Sequence, residues 1–146
     1  MNYQRMMNKN DKDIPYLTSA FKLPEISRYI SIDEQNYWKY VTTSENVHFF
    51  KVYEKNVLVA TAHLELAEEI LYMDVMVIPE YQGKGIATIV LDDIQSGNLI
   101  SGFDRIEVAI DENNVASIRL FEKMGFDFVS KEDELLNYVY EVKRGY

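Results

Sequence analysis

The chain has 146 residues, 47 % of them hydrophobic and 13 % aromatic, which suffices for one sizeable core and argues against a disordered segment. Its formal net charge of −9 repels a nucleic-acid backbone, and no apolar run of about 18 residues suits a membrane span. Zero cysteines exclude disulfides, cysteine nucleophiles and thiolate metal sites.

In chain order, residues 3–7 form a candidate edge strand. Pro15 and Pro24 each suit the first turn of a helix better than its interior, so two short helices are expected, near 15–21 and 24–30. Ser31-Ile32-Asp33-Glu34 resembles a capping box, and Tyr37, Trp38 and Val41 fall on one stripe of the helix that follows. Residues 47–53 and 57–66, rich in β-branched and aromatic side chains, flank Glu54-Lys55-Asn56 and read as a hairpin. The near-continuous apolar run 70–78 is a third antiparallel strand, broken only by Asp74.

After Pro79 comes the loop Gln82-Gly83-Lys84-Gly85, then a helix from Ile86 to about Ser96 with Gly97 past its end. A strand at 105–110 precedes a second short helix, for which Asn113 or Asn114 is a good N-cap; Ile118, Leu120, Phe121 and Met124 form its apolar stripe, and Gly125 supplies the left-handed residue at its end. Strands at 126–130 and 136–142 close the chain. The order predicts an α+β or mixed α/β fold, a central mixed, mostly antiparallel sheet with helices on both faces, in a single domain over 1–146. With no charged-then-apolar leader at Met1, the expected location is cytoplasmic.

The glycine loop is the most informative stretch. A loop that feeds a helix leaves the first backbone N–H groups without intrahelical partners, and residues lacking Cβ let a ligand come close. The helix dipole adds positive potential there, so a phosphate or pyrophosphate is the natural occupant. A P-loop fails, because Gly85 follows Gly83-Lys84 and no glycine stands five positions before Gly83. A dinucleotide fingerprint would need a glycine where Thr88 stands. A third spacing, Gln-x-x-Gly-x-Ala filled by Gln82, Gly85 and Ala87, resembles the pyrophosphate loop of the Gcn5-related N-acetyltransferases. The plain alternative is a strand-to-helix turn with no ligand. Residues 114–126, an Asn followed by a short amphipathic helix ending in Gly-Phe, resemble that family's second signature, and the likeness extends over about residues 3–142.

The resemblance implies acetyl-CoA as acyl donor, transfer to a primary amine by direct attack in a ternary complex, and no metal. It implies that the strand before the loop splays from its neighbour, so that backbone groups of Val75, Met76 and Val77 bond the pantetheine arm and one N–H polarises the thioester carbonyl. The phosphates would meet Gln82, Gly83, Lys84, Gly85, Ile86, Ala87 and Thr88, with Asn114 and Phe121 facing the cofactor from the second helix. Lys84 either complements phosphate charge or is simply solvated.

Many members carry a Tyr as the acid seven residues after the Asn, where this chain has Phe121; Ser117, Tyr138 and Tyr140 are candidate substitutes. Asp74 is the candidate base, against a structural reading as a strand Asp bonded to nearby backbone. Where some members hold a Glu five residues before the Asn, Ala109 stands here, which leaves Glu107 on the same face as the second candidate. His48 and His63 lack metal-ligand spacing and read as structural or surface residues. Tyr29, Tyr37, Trp38 and Tyr40 either touch the acceptor or pack the core. The acceptor is a small-molecule or peptide amine, the protein a monomer or homodimer, and the alternative function a non-catalytic acyl-CoA-binding regulatory or interaction domain.

Overall fold

A computed structural model describes residues 1–34 and 36–142. Among them the order is β1 (Asn2–Arg5), α1 (Ile14–Lys22), α2 (Pro24–Ser27), α3 (Tyr37–Thr43), β2 (Val47–Glu54), β3 (Val57–Ala67), β4 (Ile70–Val77), α4 (Ile86–Gln95), β5 (Arg105–Asp111), α5 (Val115–Lys123), β6 (Asp127–Glu132) and β7 (Leu135–Glu141). A single 3₁₀ turn, Pro79–Tyr81, links β4 to the glycine loop. The expected element order is present, and the seven strands make one sheet in the order β1-β2-β3-β4-β5-β7-β6.

The β2–β3 hairpin closes on Lys55 and Asn56, both at positive φ (51° and 68°), the conformation a two-residue turn needs to match the twist of its strands. Asn tolerates that region well and so helps set the register Glu54↔Val57. The next turn, at residues 68–69 with Glu68 at φ 58°, closes on the pair Ala67↔Ile70, and its register sets His63 opposite Asp74 and Glu65 opposite Tyr72.

Each face of the sheet carries its own core. On one, α1–α3 bring Leu17, Phe21, Trp38 and Val41 against Phe49 and Met76. On the other, Val90, Leu91 and Ile94 of α4 and Phe121 of α5 pack with Leu64, Leu71, Met73 and Ile106. The alternation along β4 divides its side chains accordingly, with Leu71 and Met73 in the second cluster and Met76 in the first. Lys51, buried on β2, is held by Asp11 and Asp13 just before α1, with Nζ 2.9 Å from an oxygen of each. Burial alone would lower its pKa, but the hydrogen bonds to these carboxylates outweigh that and keep it charged.

Two local expectations are corrected. Residues 31–34 do not box a helix start: α3 begins at Tyr37 with Asn36 as N-cap, and the Glu34 carboxylate that a capping box would use pairs with Lys22 Nζ at 2.8 Å. The second proline helix is a single turn, Pro24–Ser27, and not a helix to residue 30.

What positions the site is a split in the sheet. β4 and β5 run parallel and pair only at Ile70↔Arg105, Leu71↔Ile106 and Tyr72↔Glu107. Beyond that, β4 stays on β3 as far as Val77 and β5 stays on β7 as far as Asp111, so residues 73–77 and 108–111 diverge.

Candidate active site

A cavity of about 750 Å³ fills the split. Its walls are the diverging strands, the end of α2, the glycine loop with the first turn of α4, and the start of α5. In an antiparallel ladder the N–H and C=O of successive residues point to opposite sides. The bond from Ile78 N–H to the Val59 carbonyl, 2.9 Å, therefore commits the backbone of Ile78, Met76 and Asp74 to β3 and aims that of Val75 and Val77 at the open side. Of the three residues expected to bond a pantetheine arm, Val75 and Val77 present backbone groups to the cavity, whereas those of Met76 belong to the ladder.

The Gln82 side chain is turned back on the strand, its Nε2 donating to the Val77 carbonyl at 3.1 Å. Gln82 thus locks the loop to the end of β4 and satisfies the last carbonyl of the open edge, leaving the Val77 N–H free to point inward. Gly83 and Gly85 sit at φ 78° and 81°, and Gly85 is the N-cap of α4 without a side-chain cap bond. The N–H groups of Ile86, Ala87 and Thr88 thus open the helix uncapped, and all three residues line the cavity. A Cβ on Gly85 would meet nothing within 4 Å, so a side chain there would stand in the space the loop encloses. Lys84 is not in the cavity wall; its Nζ lies 5.6 Å from the ring centre of Tyr81, over the ring.

Asn114 caps α5, its Oδ1 accepting from Ser117 N–H at 3.3 Å, while its amide nitrogen has no partner among the described residues. Asn114→Ala is expected to lower stability by about 1 kcal/mol, the usual value of such a cap, read as a lower urea midpoint at unchanged slope. Phe121 lines the cavity and packs edge-on to Phe126 with ring centres 5.0 Å apart. Ser117 shares that wall, but Tyr138 and Tyr140 do not. Tyr138 is buried in the core, and Tyr140 packs on Phe126 from β7, the strand between β5 and the edge strand β6. That removes two of the three substitute acids.

Asp74 lies where this cavity meets a second one of about 420 Å³, and it lines both. Its side chain is open to the cleft yet hemmed by protein, and burial pushes its pKa up to about 6. Among the described residues no hydrogen bond or ion pair reaches its carboxylate, so the structural reading of Asp74 lacks the backbone partner it needs. Glu107 lines only the second cavity, beside Tyr72, with Arg105 Nε 3.4 Å from its Oε1.

Sequence reasoning set His63 aside, but it faces the second cavity directly across the ladder from Asp74. Its Nδ1 is 2.7 Å from Tyr37 Oη, and burial holds its pKa below the usual histidine value, so it is neutral at pH 7. Next to it Glu65 accepts from Tyr40 Oη, which that bond pushes up to about 12. Tyr37 and Tyr40 therefore support the second cavity, while Trp38 is core. Tyr29 lines both cavities and spans the cleft, its hydroxyl donating to the Asn113 carbonyl at 3.3 Å. The polar–apolar alternation His63-Leu64-Glu65-Leu66 was the available signal for the first two.

Residues 14–126 match the model of the acetyltransferase (GNAT) family. Compared by sequence with curated proteins, the chain has no significant match. Among solved structures it resembles the N-acetyltransferase PseH of Campylobacter jejuni in complex with acetyl coenzyme A, with TM-score 0.78, 11 % identity, and 97 % of this chain and 99 % of that one covered. The ribosomal-protein-S18-alanine N-acetyltransferase of Escherichia coli superposes with TM-score 0.76 at 14 % identity over 99 % and 95 % of the two chains. A chimera of the spermidine N-acetyltransferase SpeG from Vibrio cholerae and hSSAT gives 0.74 at 18 % identity over 97 % and 96 %. At these identities the likeness carries the fold.

Proposed function

The chain belongs to the acetyltransferase (GNAT) family, and from that premise we propose that it transfers an acetyl group from acetyl-CoA to a primary amine by direct attack in a ternary complex, acting as a single domain in the cytoplasm. The observation that carries this is the place of Asp74, a carboxylate without a partner among the described residues, at the junction of the two cavities, where donor and acceptor would meet. No described helix is long and apolar enough to cross a membrane.

Acetyl-CoA supplies an acyl group activated as a thioester. The fit to this chain rests on the open backbone of Val75 and the open N–H of Val77 for the pantetheine amides, and on the uncapped N–H groups of Ile86, Ala87 and Thr88 with Gly83 and Gly85 for the phosphates. The free amide nitrogen of Asn114 adds a donor on the opposite wall. An alkylammonium has no lone pair, so its nitrogen must lose a proton before it attacks; Asp74, ionised above about pH 6, takes that proton directly or through water. Glu107, paired with Arg105 and outside the larger cavity, is the weaker candidate for that role. The hydroxyls of Tyr29, Tyr81, Thr88 and Ser117 line the cavity wall, and from among them a proton returns on the donor side.

A second reading, an acyl-CoA-binding module without turnover, is favoured by one observation: Phe121 places a ring without a hydroxyl in the donor cavity. Release of free CoA thiol from acetyl-CoA, followed across a panel of primary amines, separates the two. Amine-dependent release at rates of about 1 s⁻¹ or more is expected. Tight CoA binding with no release for any amine would establish the binding module.

A further inference from the structure

We infer that the acceptor is a linear dication, a primary amine with a second ammonium group some way along the chain, and that the second cavity is the seat of that second charge. The inference rests on the acceptor reading above. A monoamine needs one carboxylate, and Asp74 supplies it. The cavity of about 420 Å³ has two more in its wall, Glu65 and Glu107, and among the described residues no lysine or arginine lines it.

The register sets their spacing. Glu65, Tyr72 and Glu107 stand side by side on β3, β4 and β5, and Asp74 is two residues farther along β4 on the same face. Strand rise and spacing put the Cα atoms of both glutamates roughly 8 Å from that of Asp74. That distance is within the reach of a short diamine. Between the carboxylates the exposed ring of Tyr72 forms a floor, and Tyr29 stands at the boundary with the donor cavity, two aromatic surfaces on which an alkylammonium chain can rest. His63 is neutral and adds no opposing charge.

Local compensation of the carboxylates is incomplete. Arg105 approaches Glu107 at 3.4 Å but also Glu141 at 3.6 Å, and Glu65 holds a tyrosine hydroxyl and a neutral histidine 4.0 Å away. Asp74 has no partner among the described residues and opens into this same space. The wall therefore keeps an excess of negative charge, which a dication would balance and an amine with an acidic substituent would worsen.

Calorimetry on the CoA-bound protein, comparing linear diamines from diaminopropane to diaminohexane with chain-matched monoamines, tests this without requiring turnover. At least one diamine is expected to bind about 10-fold tighter than its monoamine, with the advantage shrinking at high salt as charge pairing is screened. In Glu65→Gln/Glu107→Gln, folded by circular dichroism and with unchanged CoA affinity, the advantage should vanish, and where turnover is measured it should vanish through KM. Equal binding of diamine and monoamine in the wild-type protein, or a diamine advantage that the double variant retains, would overturn the inference. A diamine advantage in binding with no acetyl transfer would sink the acceptor reading and leave the dication seat standing.

Discussion

Asp74→Asn is expected to lower turnover by about 100-fold or more while leaving CoA affinity nearly unchanged, the scale typical of a positioned base. The substitution keeps shape and removes charge, so a loss confined to turnover reports on proton acceptance. In the wild-type protein the rate should rise with pH through about 6, because the carboxylate accepts a proton only when ionised. The variant should lose that limb.

Stability supplies an independent sign. Burial raises the folded pKa of Asp74 above its unfolded value, so its contribution is fully present below the unfolded pKa, near 3.8, and is lost as pH rises through about 6. At neutral pH the ionised group therefore burdens the fold, and Asp74→Asn should melt at an equal or higher temperature than the wild type. A structural aspartate would give the reverse, normal turnover and a lower melting temperature. Normal turnover with the acidic limb retained would remove Asp74 from the chemistry.

Gly85→Val should raise the dissociation constant for CoA by about 10-fold or more. Two effects act together. The residue sits at φ 81°, where a β-branched side chain is strained, and its Cβ would project into open space at the mouth of α4. Gly85→Ala, with less bulk at the same φ, should show a smaller loss. Titration calorimetry on variants whose circular dichroism is unchanged measures both, and an unaltered CoA affinity for folded Gly85→Val would take the loop out of the donor site.

Much of this architecture was legible because local signals agreed. The loop at 82–85 needs residues tolerant of positive φ, and glycine stands at both positions that adopt it. An acidic residue inside the apolar run 70–78 marked a place where the strand meets water, and Asp74 lies in the cleft. What escaped depended on partners far away in sequence. The capping-box pattern at 31–34 does not open a helix: α3 starts at Tyr37, and the Glu34 carboxylate pairs instead with Lys22, far back in the chain. Tyr138 and Tyr140 read from the sequence as candidate acids, but the order β5-β7-β6 carries them past the cleft into packing with Phe128 and Phe126. His63 and Glu65 acquired meaning only through the register that sets them opposite Asp74 and Tyr72. The role of Gln82 needed the strand end it reaches: a glutamine in a glycine loop reads as a ligand contact until its Nε2 is seen on the Val77 carbonyl.

Only three residue pairs join β4 to β5, so the backbone ladder is nearly interrupted there and the core shared with α4 and α5 carries the sheet across the seam. Adjacent residues on one strand then belong to different exchange regimes. The Met76 amide, bonded within the β3–β4 ladder, is expected to exchange only when that ladder opens, whereas the Val75 amide, aimed into the seam, is expected to exchange from the folded state. A ligand laid along the seam takes the place of the missing ladder. It is expected to slow Val75 to the pace of its neighbour, so that hydrogen exchange reads occupancy in the protection of a single amide before any chemistry occurs.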